Sequence, residues 1–147
     1  MNITIQRRAG YRLDISIDLS EIQSAIYTEG AWHPAEGATA WGVSDANEPI
    51  VDRHVREALD DLMARMGGYI VGSNVNFNIE RENIVLALSV THKPRPTLAS
   101  DLKCAIIAAL ANYTLMTFYG DEDSVYGTAW RLQRARCLIL LAHPERG

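Results

Sequence analysis

His54, Glu57 and Asp61 are the residues whose types and spacing come closest to a chemical site. They fall at positions i, i+3 and i+7 of a predicted amphipathic helix, on adjacent faces. A metal site bridged by carboxylates would need matching ligands from a second helix, usually another Glu-x-x-His. The sequence contains no second set, so we interpret the three residues as a solvated charged face stabilised by pairing along the helix.

Other motifs with a chemical mechanism are absent from the sequence. The four histidines lie in four different predicted elements, and Cys104 and Cys137 do not form a Cys-x-x-Cys pair. No phosphate-binding glycine loop or nucleophile elbow occurs. We interpret the glycines at 67, 68 and 72 as residues that end secondary-structure elements or form turns. The sequence therefore predicts no catalytic residue, no metal site and no cofactor.

The composition is that of an ordinary globular domain. The chain has 147 residues, 48% of them hydrophobic, and a formal net charge of -4. This length predicts a single domain over residues 1–147, and the charge gives no basic footprint for nucleic acid. Arg131, Arg134 and Arg136 form a local basic strip. They could contact nucleic acid or an acidic neighbour, or simply face solvent.

The first part of the chain predicts a strand, a short helix and a long loop. Leu13, Ile15 and Ile17 alternate with polar residues, as in a half-buried strand. A short helix opening at Ser20 ends near Gly30, and a weak alternation over residues 2–8 suggests an earlier strand. The loop over residues 30–47 is unusually long. Its two tryptophans either anchor an interface or fold back over the core.

The rest of the chain predicts an α+β fold of β-hairpins, a central amphipathic helix and a C-terminal antiparallel helix pair. The amphipathic helix starts near Asn47 and ends at the glycine pair. A β-hairpin pattern follows over residues 75–90, with a polar turn at 81–83. Two helices complete the chain over residues 98–142. The predicted order is β, β, α, α, β, β, α, α.

The helix over residues 98–119 is apolar on nearly every side. Such a helix must be covered all round, and we expect neighbouring subunits to supply part of the cover, which favours a homo-oligomer. Its polar residues make it a poor membrane span, so no membrane association is expected. The interface candidates of the whole chain are Trp32, Trp41, Ile107, Leu115, Phe118, Arg131 and Arg134.

The two cysteines test the predicted helix pair. Cys104 precedes the break at residues 120–123 by about as many residues as Cys137 follows it, so both should lie at a similar height. We expect the two sulfurs to approach each other across the pair as free thiols. The alternative is that they share a level but point to different faces.

The order of elements resembles that of small head–tail connector, adaptor or head-completion proteins of tailed phages and prophages, notably those of Bacteroidetes. The resemblance covers about residues 20–144. It is carried by the short helix ending at residues 24–31, the loop, the acidic helix at 52–58, the strands at 75–90 and the helix break at 119–122. Connector relatives often have a purely helical core, so the strands leave open whether the role is connector or tail completion.

Three functions follow as hypotheses. The resemblance implies a non-catalytic virion structural protein, assembled in the host cytoplasm as a ring of identical subunits that contacts portal or tail components. The second hypothesis is a small soluble binding or immunity-type module. The third is an enzyme, for which the cluster on the amphipathic helix would be the site. The sequence favours the first, and nucleic-acid contact is compatible with it without being indicated.

Overall fold

The computed structural model describes residues 10–30, 48–78, 83–119 and 125–145. Over these residues, seven elements follow one another, with a short 3₁₀ turn at Gly67–Tyr69 before the second strand. They are β1 (Tyr11–Asp18), α1 (Leu19–Gly30), α2 (Glu48–Arg65), β2 (Ile70–Asn78), β3 (Asn83–Val90), α3 (Leu98–Tyr119) and α4 (Val125–Ala142). The predicted α+β class and the order of these seven elements are confirmed. The weak strand predicted over residues 2–8 and the loop with Trp32 and Trp41 lie outside the described residues.

The three strands form an antiparallel sheet in the order β1-β3-β2. The predicted hairpin joins β2 to β3, and β1 pairs with the other side of β3, with Tyr11 opposite Val90 and Asp18 opposite Asn83. The predicted alternation in β1 is confirmed, because Leu13, Ile15 and Ile17 are buried while their neighbours are exposed. One face of β1 therefore belongs to the core.

Helix α1 begins at Leu19, one residue before the predicted opening at Ser20, and Asp18 is the residue that precedes its first turn. The Glu21 carboxylate accepts a hydrogen bond of 2.9 Å from the backbone N–H of Asp18. This is the reciprocal half of a capping box, in which the residue at the third helical position satisfies the cap residue's N–H. Glu21 also forms a 3.2 Å ion pair with Lys103 of α3, so the cap ties α1 to the central helix.

Helix α2 has the predicted amphipathic pattern. Its apolar stripe is buried and its charged stripe is largely exposed. The helix ends at Arg65, and Gly67 and Gly68 form the tight turn that leads into β2. The buried residues of the stripe are Val55, Ala58, Leu59, Leu62 and, just beyond the helix, Met66.

Helix α3 lies at the centre of the molecule. It packs against α1, α2 and β1, and most extensively against α4. It is also the one helix among the described residues that is long and apolar enough to cross a membrane, but half of that apolar stretch is buried inside the protein. The chain's own elements thus supply a large part of the cover that this helix needs, and a contribution from neighbouring subunits stays a prediction.

Helices α3 and α4 form the predicted antiparallel pair. The ring of Tyr113 packs edge-on against Trp130 with centroids 5.0 Å apart, and Tyr119 stacks on Tyr126 at 6.0 Å. As the contact position moves forward along α3, it moves backward along α4, which defines the antiparallel direction. At the far end, the backbone N–H of Arg95 donates a 2.9 Å hydrogen bond to the carbonyl of Pro144.

Candidate functional site

The three residues singled out on α2 do not converge on one site. His54 is nearly buried, and its Nδ1 lies 3.1 Å from Oε1 of Glu57 one turn later. Asp61 points elsewhere and pairs with arginines. Over the described part of the chain, no group of three histidine, cysteine or acidic side chains is arranged to hold a metal ion. The predicted pairing along the helix is present, but the predicted solvated face is wrong for His54, which is buried.

Asp61 instead links α2 to α4. Its Oδ2 accepts a 3.1 Å hydrogen bond from Nε of Arg65 and lies 3.5 Å from Nη1 of Arg134. The Arg134 guanidinium also lies over the ring of Trp130, 4.9 Å from its centroid. The Arg134 guanidinium thus lies between a carboxylate and an aromatic ring, where it stabilises the packing of the two helices. Arg134, an interface candidate from the sequence, therefore joins two helices of the same chain.

The apolar candidates on α3 are covered to different degrees. Leu115 is completely buried, so this predicted interface residue is a core residue that has no surface to offer a neighbouring subunit in this fold. Ile107 is half-buried and packs against the core. Phe118 is half-buried and makes an edge-on contact with the ring of Tyr119 at 5.0 Å. Trp32 and Trp41 lie outside the described residues.

The two cysteines differ in exposure. Cys104 is exposed and Cys137 is buried, and both are free thiols. Burial raises the pKa of the Cys137 thiol to about 12, against a smaller opposing effect of Arg136. The expectation of free thiols agrees with this, and the difference in exposure favours the alternative in which the two side chains share a level but point to different faces.

A different apolar surface stands out on α4. Val125, Leu132 and Ile139 are 69%, 63% and 60% exposed, and they are the large side chains of a stripe with heptad spacing. Small exposed residues alternate with them at the intervening positions of the same face. We call this surface the outer stripe of α4; it consists of Val125, Thr128, Leu132, Ala135, Ile139 and Ala142.

The spacing of apolar residues in the sequence indicates this stripe, but α4 has a second apolar face that makes the pattern hard to recognise. Tyr126, Trp130, Cys137 and Leu141 are buried against the rest of the chain. With apolar residues on both faces, the helix has no dominant amphipathic direction, although the seven-residue spacing of Val125 with its two equivalents was visible. Such spacing is typical of helices that pack against another helix.

Two arginines flank the outer stripe. Arg131 and Arg136 are both exposed, one on each side of it. Arg136 also contributes to the local field around Asp101 at the start of α3. The Arg95 guanidinium, which hydrogen-bonds the Asp101 carboxylate, is the main cause of the lowered pKa of that group, and Arg136 adds a smaller Coulombic effect. With Arg131 on one side and Arg136 on the other, the rim of the stripe is basic.

A second surface feature lies at the sheet. No other described strand pairs with the edge of β1 that faces away from β3. Beside this strand is a groove of about 380 Å³ that contains one acidic and one basic side chain. The groove is lined by Asp14, Ile15, Ser16, Ala99, Ser100 and Lys103.

Comparison with known proteins gives no relative. No protein-family model matches the chain, and neither a curated protein nor a solved structure matches it.

Proposed function

We propose that this chain is a non-catalytic structural subunit that acts through protein–protein contacts, and specifically a component of a phage virion at the head–tail junction. The observation that carries the proposal is the outer stripe of α4, a line of large exposed apolar side chains on a helix fixed firmly to the core. Fully burying a side chain such as leucine or isoleucine contributes roughly 1.5–3 kcal/mol. Three such side chains at one surface favour covering it with another protein.

The support for an assembly role comes from a different helix than the sequence suggested. The sequence points to α3 as the self-association surface, and α3 is largely covered by its own chain. The large exposed apolar residues of α4 supply the self-association surface in its place. Arg134 is held by Asp61 and Trp130, so Arg131 and Arg136 are the arginines that lie exposed at the rim of the stripe.

The virion role follows from the resemblance in element order. In this proposal the protein assembles in the host cytoplasm, joins the virion as a ring of identical subunits and contacts portal or tail proteins. It needs neither a cofactor nor a catalytic group for this work. The choice between connector and tail-completion protein depends on which of those partners it contacts.

The test is a measurement of assembly by the purified full chain. Light scattering over a series of concentrations should show a mass above that of one chain, and negative-stain images should show closed rings at high concentration. Leu132→Glu should abolish the larger species, because a charge would be buried at the centre of the contact. Val85→Glu, at a 39% exposed apolar position on β3, is the matched control and should leave assembly intact.

A chain that remains monomeric at every concentration would contradict self-assembly. Rings that persist in Leu132→Glu would show that assembly uses another surface.

The groove beside β1 favours the second hypothesis, a soluble binding module. An extended peptide could add a strand to the edge of β1, with main-chain hydrogen bonds for affinity and the groove for side-chain specificity. Selection from a random peptide library against the purified chain tests this function. Peptides that lose affinity on Ser100→Trp, which would fill the groove, would support it, and peptides unaffected by that change would bind elsewhere.

A further inference from the structure

We infer that the outer stripe of α4 pairs with the same stripe of a second copy of this chain, with the two helices antiparallel. This inference rests on the proposed function, because it names the partner of the surface proposed there. It follows from the sizes and charges of the side chains along the stripe. The larger apolar residues Val125, Leu132 and Ile139 alternate with the smaller Thr128, Ala135 and Ala142, of which Thr128 is close to valine in size.

In the antiparallel pairing, every large side chain meets a small one. Placing Leu132 opposite Ala135 of the second copy also places Val125 opposite Ala142 and Thr128 opposite Ile139. Four of the six layers of the contact then pair valine or leucine with alanine, and the other two pair Ile139 with Thr128. Small residues at alternate positions let two helices approach closely, and large residues fill the space beside them, which gives the dense packing typical of protein interiors.

A parallel pairing fits the same residues poorly. It would place Leu132 opposite its own equivalent and Ala135 opposite its own, so crowded layers would alternate with empty ones. Void layers lose dispersion contacts on both helices. The stripe is therefore complementary to itself in only one of the two directions.

The flanking charges favour the same direction. In a parallel pair, a residue at the edge of the stripe on one helix faces the edge residue of the second helix that lies five positions later in the sequence. This would bring Arg131 against Arg136 of the second copy, two like charges at a close contact. In the antiparallel pair, Arg131 faces Leu138 and Arg136 faces Ala129, so the arginines lie over apolar residues with their charges in solvent.

The resulting contact is a two-fold interface between identical surfaces. The helix has 18 residues, so the seam is about 27 Å long. One helix per subunit lies at the low end of the areas buried by stable complexes, and we expect dissociation in the micromolar range. Because a two-fold interface closes on itself, ring formation would require a further contact elsewhere on the dimer.

The register can be tested by placing single cysteines in two separate chains. In a Cys104→Ser background, one chain carries Leu132→Cys and the other, which bears a tag to distinguish it by mass, carries Ala135→Cys. A short thiol-specific cross-linker should give the mixed product in several-fold excess over either same-position product. Both positions are exposed in the subunit, so these changes leave its core untouched, and a chain with Val85→Cys gives the background level.

Leu132→Glu provides the second measurement. Sedimentation equilibrium should show that it weakens dimerisation by at least about tenfold, as expected when a charge is desolvated without a partner. A circular dichroism spectrum and a melting temperature like those of the wild type confirm that the subunit is folded.

The outcomes separate this inference from the proposed function. Same-position products in excess, or cross-linking at the Val85→Cys level, would overturn the antiparallel seam even if the protein forms rings. The mixed product in excess would support the seam even if no ring forms and the virion role fails. A wild type that remains monomeric would overturn both.

Discussion

At the scale of single residues, Asp61 and Arg134 show how a charged helix face becomes part of the fold. The sequence presents them as an acidic residue of a possible metal cluster and a basic residue of a possible interface. The structure joins them across two helices, with Trp130 beneath the guanidinium. Their partners are far apart in sequence, so no local spacing rule identified the contact.

Arg134→Ala should reduce the free energy of unfolding by about 1 kcal/mol. The ion pair to Asp61 is partly exposed and contributes less than a buried pair would, and the contact with Trp130 adds a similar small amount. Urea denaturation followed by circular dichroism measures the change. Arg131→Ala, at an exposed position on the same helix, is the matched control and should change stability by less than about 0.5 kcal/mol.

The cysteines give a prediction that a reagent can check directly. Cys104 is exposed and should react with a thiol reagent in the native protein, whereas Cys137 is buried and its pKa is raised to about 12, so its reactive thiolate is scarce. Native labelling should therefore modify one thiol per chain, and labelling in denaturant should modify two. Mild oxidation should give no bridge within the chain, because Cys137 is buried; an intramolecular disulfide would contradict the difference in exposure of the two thiols.

At the scale of elements, the position of α3 explains its composition. Four elements pack around it, so a helix with one polar face would leave buried polar groups without partners. Its buried polar residues instead bond to their own helix. Asn112 and Thr114 donate 2.8 Å hydrogen bonds to the carbonyls of Ala108 and Leu110. These bonds let polar side chains occupy a helix that is covered on most sides.

Leu115→Ala should destabilise the subunit by about 2–5 kcal/mol, because it leaves a cavity at a fully buried position. Ile107→Ala is the matched control on the same helix. It removes a half-buried side chain and should cost clearly less. Chemical denaturation at a concentration where the protein is monomeric measures both. Equal losses for the two variants would contradict the burial described for α3.

At the scale of the whole molecule, some features followed from the sequence and others did not. The strand around Ile15, the helix through Leu62 and the hairpin ending at Val90 were predictable, because each has its own local apolar period. The cover of α3 was not, because it depends on which elements surround it. The outer stripe of α4 was overlooked because Trp130 and its buried neighbours make the opposite face equally apolar.

The free energy of unfolding of the whole molecule should fall at acid pH, because two carboxylates at the starts of helices become protonated. The backbone N–H of Asp18 is the main cause of the lowered pKa of Glu21, and the Arg95 hydrogen bond is the main cause for Asp101. Their ordinary values are 4.5 and 3.8. A carboxyl whose pKa is lowered by folding stabilises the native state above its ordinary value and loses that contribution as pH falls through the lowered one.

Glu21→Gln should therefore be less stable than the wild type at neutral pH. The difference in the free energy of unfolding should narrow in acid, because protonation of Glu21 removes the same stabilisation from the wild type. Denaturation midpoints measured from neutral pH downward give this comparison. Asp60→Asn, on the exposed face of α2, is the matched control for the loss of one carboxylate. A difference for Glu21→Gln that grows as pH falls would contradict the sign of the effect.

The central position of α3 also has a consequence for synthesis on the ribosome. The apolar faces of α1 and α2 pack on a helix that is made only after residue 98, and β1 pairs with β3 rather than with a neighbour in sequence. At a synthesis rate of about 5–20 residues per second, several seconds pass between the synthesis of β1 and the synthesis of the elements that it contacts. The N-terminal elements therefore leave the exit tunnel with their apolar faces uncovered, and native packing begins only when most of the chain has emerged.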